Sequence, residues 1–176
     1  MRQHQIVAAV VRQGDAILLV RQQGADDPRP TWALPGGVVE DGELLHEALA
    51  RELREETGLA LRRVGALLYV AQTHVTHMTR GVLRGEAGAR AEAYVATAFV
   101  FDVAGWIGEI ASDDPDHVVS AARFFPRAEA IALLDQLGAR VMREPIVAYL
   151  RGEAAPGAVW LYRRQDDGTD ALISLS

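Results

Sequence analysis

Residues 36–59 read Gly36-Gly37-Val38-Val39-Glu40-Asp41-Gly42-Glu43-Leu44-Leu45-His46-Glu47-Ala48-Leu49-Ala50-Arg51-Glu52-Leu53-Arg54-Glu55-Glu56-Thr57-Gly58-Leu59. The stretch from Glu43 to Thr57 predicts a helix, stopped by Gly58 in the usual C-terminal position. At roughly 100° per residue, with Glu52 set at zero, Glu55 falls near −60° and Glu56 near +40°. Leu45, Leu49 and Leu53 point to roughly +20°, +60° and +100° on the same wheel. The carboxylates therefore overlap the edge of the apolar stripe that faces a core. Like charges set beside apolar packing lose hydration and repel one another. A hard divalent cation relieves both penalties, because carboxylate oxygens are its preferred ligands. The plainer alternative is a solvated acidic face on which Arg51 and Glu55 form an ordinary i,i+4 pair. The helix alone leaves both readings open.

Outward from this helix the chain alternates strand and turn signals. Ile6 to Val11 is an apolar run suited to a buried strand, Gln13-Gly14-Asp15 a turn, and Ala16 to Arg21 a second strand. Gln22 to Pro30 reads as a loop, and Thr31 to Leu34 as a short strand closed by a Pro35-Gly36-Gly37 turn. Leu59 to Thr73 suits one long strand or two short ones. Arg80 to Arg90 reads as a Gly- and Arg-rich loop, and Tyr94 to Val103 as a strand. Ser112 to Asp116 forms an acidic turn, followed by a strand over Val118 to Phe125. Arg127 to Gln136 and Val141 to Leu150 are expected helices; Gly157 to Arg164 is a last strand before a polar tail. With no repeat and no linker, one mixed α/β domain over residues 1–176 is the expectation.

Composition narrows the chemistry. Every one of the 18 basic residues is Arg, and the chain has no Cys. Thiolate metal sites, cysteine nucleophiles, lysine Schiff bases and a Walker-type lysine are therefore excluded. A net charge of −6 argues against an extended nucleic-acid surface. No run approaches the roughly 18 uncharged apolar residues of a membrane helix. The N-terminus runs straight into a strand, so a cytoplasmic protein is expected.

Residues 37–59 resemble the Nudix box: Gly, five residues, Glu, seven residues, then Arg-Glu-apolar-any-Glu-Glu-any-Gly-apolar. The matching positions are Gly37, Glu43, Arg51, Glu52, Leu53, Glu55, Glu56, Gly58 and Leu59, with no departure. Trp32 to Gly37 is similar to the strand and turn that lead into the box. The resemblance implies an α/β/α sandwich around a mixed sheet, with a family-like core over about residues 5–136 and C-terminal helices and tail over 137–176. It also implies Mg²⁺, with Mn²⁺ as a substitute, held by Glu52, Glu55, Glu56 and the Gly36 carbonyl. The implied activity is hydrolysis of a diphosphate linkage in a nucleoside diphosphate derivative. Glu52 or Glu55 would take the water's proton, since family members differ on which. Arg51 would join the catalytic group through a salt bridge that orients a ligand glutamate. Glu43, at the expected helix start, and Gly58 read as structural.

The remaining candidates are weaker signals. Nudix enzymes often recruit a further carboxylate from the region of Asp113, Asp114 and Asp116, and Asp116 is the choice here. Arg84, between Arg80 and Arg90, offers planar donors to a polyphosphate. His74 and His77 fall on opposite faces of a strand end, which disfavours shared metal ligation. Trp32 reads as core rather than as a base-stacking platform. Signatures of three subclasses are missing. The ADP-ribose group has a Pro where this chain has His74 and Val75, Tyr69 comes too early for the dinucleoside polyphosphate group, and Val20 to Gly24 does not match the coenzyme A motif. A nucleoside triphosphate or a nucleotide sugar remains. The alternative function is a non-catalytic nucleotide sensor, although such domains lose box glutamates that are all present here.

Overall fold

Alternation along the first strand sets up two cores. In β1 (Arg2–Gln13), Val7, Ala9 and Val11 bury toward one helix, α1 (Leu45–Thr57), where they meet Ala48, Leu49 and Leu53. Val10 points the other way, into a cluster with Ala130 and Leu134 of α2 (Arg127–Leu134) and Ile146, Val147 and Leu150 of α3 (Arg140–Arg151). A strand with a period of two can serve both faces only inside a sandwich, and that is the architecture. This computed structural model describes residues 2–23, 29–75, 93–111, 115, 118–165 and 168–176.

The other strands are β2 (Ala16–Gln22), β3 (Thr31–Ala33), β4 (Gly36–Val38), β5 (Ala60–Val75), β6 (Tyr94–Ile107), β7 (Val119–Pro126), β8 (Ala158–Arg164) and β9 (Asp170–Leu175). The sheet is mixed. β1 runs parallel to β6 and β5 parallel to β8, whereas β4 on β1, β6 on β5 and β9 on β8 are antiparallel. β2 leaves β1 through a hairpin and pairs with β3 and β7. The α/β expectation holds: helices lie on both faces of a mixed sheet. Among the described residues no helix is long and apolar enough to cross a membrane.

Several boundaries differ from the sequence reading. The glycines after Pro35 do not form a turn; Gly36-Gly37-Val38 is a strand on β1, in register with Ala8, Val7 and Ile6. Leu59 to Thr73 resolves into a single strand, β5, that runs on to Val75. The box helix begins at Leu45 rather than Glu43, because Glu43 N donates back to the Glu40 carbonyl (3.0 Å) and closes a turn. Leu44 is the N-cap in extended conformation, and its N–H donates to the Glu47 carboxylate at 2.9 Å. At the other end Gly58, at φ 75°, donates its N–H to the Arg54 carbonyl (2.8 Å).

The polar tail holds a further strand, β9, and Asp170 fastens it. The Asp170 side chain is 1% exposed; its Oδ1 accepts from Arg164 Nε at 2.7 Å and its Oδ2 from Val141 N at 3.4 Å. Arg140 Nη1 donates to the Asp170 carbonyl at 2.9 Å. One carboxylate thus joins the last strand to the start of α3. Asp170→Ala should lower unfolding free energy by about 1–3 kcal/mol, since it removes the buried acceptor of Arg164 Nε and Val141 N. Urea denaturation of the two proteins checks this; a loss below about 1 kcal/mol would contradict it.

Candidate functional site

The site forms where α1 passes over β4. Packing of Leu49 and Leu53 against Val7 and Leu18 fixes the helix rotation, and with it the edge that carries the glutamates. Glu52 and Glu56 are thereby brought against Gly37 and Gly36, and Glu55 is joined to Glu52 through Arg51.

Gly37 is a requirement of this approach. A Cβ built there would lie 2.4 Å from Glu52 Oε1 and 2.6 Å from Glu52 Cδ. Gly36 answers a different demand. It sits at φ +150°, and a Cβ would meet the Val7 carbonyl oxygen at 2.1 Å and Ala8 Cα at 2.6 Å. The first glycine therefore makes room for backbone and the second for a carboxylate. Gly36 N also donates to Glu56 Oε2 at 2.7 Å, and Glu56 is only 8% exposed.

Arg51 organises the remaining carboxylates. Its Nε and Nη2 donate to the two oxygens of Glu43, each at 2.9 Å, in a bidentate fork. Nη2 also reaches the Val38 carbonyl (3.0 Å), while Nη1 contacts Glu52 Oε1 (2.7 Å) and Glu55 Oε2 (3.4 Å). Arg51 holds the Glu43 carboxyl below its ordinary range, and Glu43 pushes the Arg51 guanidinium further up. Glu52 behaves in the opposite sense. Burial raises its carboxyl above the usual range and outweighs the opposing pull of Arg51. The arrangement is a buried-edge acidic cluster held by one guanidinium.

Among the described residues, no three acidic or histidine side chains already converge on one point as a closed metal shell. Glu52 and Glu55 instead share Arg51 Nη1, and Glu56 accepts from Gly36. The donor chemistry nevertheless suits a hard divalent cation: three carboxylates on one helix edge, one of them seated in the space that Gly37 leaves.

Arg84 and Asp116 lie outside the described residues, as do Arg80, Arg90, Asp113, Asp114 and His77. His74 sits on β5 opposite Val95, away from the glutamate edge. Trp32 packs edge-to-face on Phe125 at 4.7 Å and joins the α2/α3 core. The role of Glu43 was not legible: it reads as a helix-start carboxylate, but it precedes the helix and is the main anchor of Arg51. Its eight-residue separation from Arg51 matches no helical contact, so only the turn at Glu40 to Glu43 creates the pair.

Comparison with known proteins agrees with the fold and the box. A mouse 8-oxo-dGDP phosphatase is 26% identical over 161 residues, which cover 88% of this chain and 44% of that protein. The CTP pyrophosphohydrolase of Escherichia coli (strain K12) is 39% identical over 59 residues, 34% of this chain and 44% of that one. The chain thus spans less than half the length of these curated relatives. Among solved structures, a mutator MutT protein from Bacillus halodurans shares the fold, with a TM-score of 0.65 at 18% identity over 98% of this chain and 96% of that one. The profile of the NUDIX domain matches residues 2–149, from β1 into α3, and the chain belongs to that family.

Proposed function

We propose that this NUDIX domain is a Mg²⁺-dependent pyrophosphohydrolase that cleaves the P–O–P linkage of a nucleoside diphosphate derivative, either a nucleoside triphosphate or a nucleotide sugar. The observation that carries the reading is the contact between Gly37 and the Glu52 carboxylate. An acidic side chain that is only 14% exposed, raised in pKa and given space by a missing Cβ is poorly explained as surface charge. The names of the relatives, a CTP pyrophosphohydrolase and an 8-oxo-dGDP phosphatase, support a nucleotide substrate.

Glu52, Glu55, Glu56 and the Gly36 carbonyl would hold Mg²⁺, or Mn²⁺ in its place. The cation supplies charge neutralisation for phosphate oxygens and makes water more acidic. Whichever of Glu52 and Glu55 keeps a free oxygen accepts the proton from water as its oxygen bonds to phosphorus and the bridging oxygen leaves with its electron pair. Arg51, held by Glu43, positions Glu52 and Glu55 without touching substrate. Asp116 and Arg84 remain the proposed substrate contacts.

A screen for nucleoside monophosphate product over nucleoside triphosphates, nucleotide sugars and dinucleotides, with and without Mg²⁺, tests the reading. Release that requires Mg²⁺ is expected for one of the first two classes; no Mg²⁺-dependent release from any class would sink it.

Glu56→Gln should keep the fold and lower turnover by about a hundredfold or more, because the amide retains size and hydrogen bonding but not the charge that binds a cation. Turnover above about a tenth of normal would remove Glu56 from the ligand set.

The two glycines should separate stability from activity. Gly36→Ala drives a Cβ into rigid backbone and should cost about 3 kcal/mol or more, read by urea melts. Gly37→Ala meets only the end of the Glu52 side chain, so it should unfold near wild type while losing most of its turnover. Equal stability losses for both would contradict the assignment.

Burial disfavours the charged form of Glu52 in the folded protein. In metal-free protein Glu52→Gln should therefore raise Tm rather than lower it. The rise in Tm that Mg²⁺ gives wild type by mass action should shrink in the same variant. Calorimetry showing an identical Mg²⁺ effect in both proteins would point to nonspecific binding.

A further inference from the structure

β9 ends the sheet, and among the described residues no strand lies along its outer edge. Val159 and Ser176 exchange both backbone hydrogen bonds, at 2.8 and 3.1 Å. In an antiparallel ladder the neighbours of such a couple turn their N–H and C=O the other way, so those of Leu175 point to the open edge. An unpaired edge is a template for another strand, and folds that keep one to themselves guard it with charges or proline. Here the edge reads Ala171-Leu172-Ile173-Ser174-Leu175-Ser176, with neither. The one charge of the strand, Asp170, is buried and paired with Arg164.

Apolar side chains gather at the same edge. Leu172 and Leu175 stand opposite Tyr162 and Trp160, and both stay exposed although their partners are buried. The register shifts between Leu161 and Tyr162, which leaves Ile173 with no partner on β8 and 61% exposed. Leu161, opposite Ser174, is a further exposed side chain on the adjoining strand. A bulge can blunt an edge by twisting it away, but one that turns an isoleucine outward adds apolar surface instead. Apolar groups clustered in this way mark an interaction surface.

We infer that β9 is a docking strand for a second copy of this chain, so that two sheets continue into one another through antiparallel β9 strands about a two-fold axis. Charge selects this occupant. The chain carries −6 overall, so most faces of two copies repel, whereas residues 171–176 meet their own kind with no charge opposed. A strand from a different protein would be chosen by charges or by pockets for its alternate side chains; this edge offers only apolar groups and two serines. A two-fold contact uses the same patch on both sides, closes at two copies and leaves neither β9 edge open. A standard interface takes roughly 20–30 residues a side. A six-residue strand with Leu161 supplies fewer, so the dimer forms reversibly and dissociates on dilution. β9 is separated from β4 and the glutamate edge by β1, β6, β5 and β8, so the inference does not depend on the reading of that edge.

Sedimentation velocity without Mg²⁺ or nucleotide, over about a thousandfold range of protein concentration, tests the inference, because association follows mass action. Wild type should pass from monomer to dimer and no further. Ile173→Lys sets like charges against each other at the contact and should raise the dissociation constant about tenfold or more, with an unchanged circular dichroism spectrum and melting curve. Ile107→Lys, at an exposed isoleucine that ends β6, should associate as wild type does. Hydrogen exchange over residues 170–176 should slow as wild type is concentrated, since edge N–H groups that pair with a second strand leave water, and should not slow in Ile173→Lys. Wild type that stays monomeric throughout overturns the inference and leaves the edge to the strand of a different protein. A dimer that Ile173→Lys leaves intact, or one that gives β9 no added protection, places the contact elsewhere and overturns it as well. Growth beyond two copies would contradict the closed two-fold arrangement.

Discussion

The fork between Arg51 and Glu43 is the constraint on which the catalytic edge depends. Three carboxylates within about one turn of one helix edge repel one another. A single guanidinium meets Glu52 and Glu55 with one nitrogen while the other two grip Glu43. Glu43 spends both oxygens on Arg51 in an ordinary, strongly favoured ion pair. That grip, with the Val38 carbonyl, keeps the guanidinium from swinging away to solvent, so the compensation for Glu52 and Glu55 stays in place without a cation.

Compensation is incomplete at Glu52, where burial outweighs Arg51. A fold selected only for stability would place a neutral residue there. The retained charge and the glycine that makes room for it oppose stability together, a combination that fits a site rather than a scaffold. Gly36, by contrast, serves the scaffold. Its missing Cβ lets β4 lie against the Val7 carbonyl and Ala8, and its N–H satisfies Glu56, the most buried of the three glutamates.

How much of this was legible in the sequence follows from the range of each interaction. Glu52, Glu55 and Glu56 lie within one helical turn, so a wheel places them on the edge of the Leu45, Leu49 and Leu53 stripe, and the structure agrees. The strands β1 and β2 were legible as apolar runs buried on both faces, and β5 and β6 as apolar, β-branched stretches. β4 was not, because two glycines and a preceding proline have turn chemistry, and only pairing with β1 makes them a strand. β9 was hidden for the opposite reason. Its one buried residue is Asp170, a carboxylate whose partners Arg164 and Val141 belong to other elements, so no local pattern marks it as anchored. Glu43 failed the same way: its partner is fixed by a turn, not by helical spacing. Asp116 and Arg84 rested on loop composition and lie outside the described residues.

The parallel pairing of β1 with β6 gives these pieces one geometry. Because Val7 stands opposite both Gly37 and Phe99, the glycine that accommodates Glu52 and the half-exposed ring two strands away share one row. A slip of one residue in that pairing would turn Phe99 and Thr97 to the α3 face. The register that buries Val7, Ala9 and Val11 under α1 is therefore the same register that exposes Thr97 and Gln72. Apolar burial of Val7, Ala9, Phe101 and Val103 under α1 holds it, and the same packing sets the rotation that presents Glu52 to Gly37.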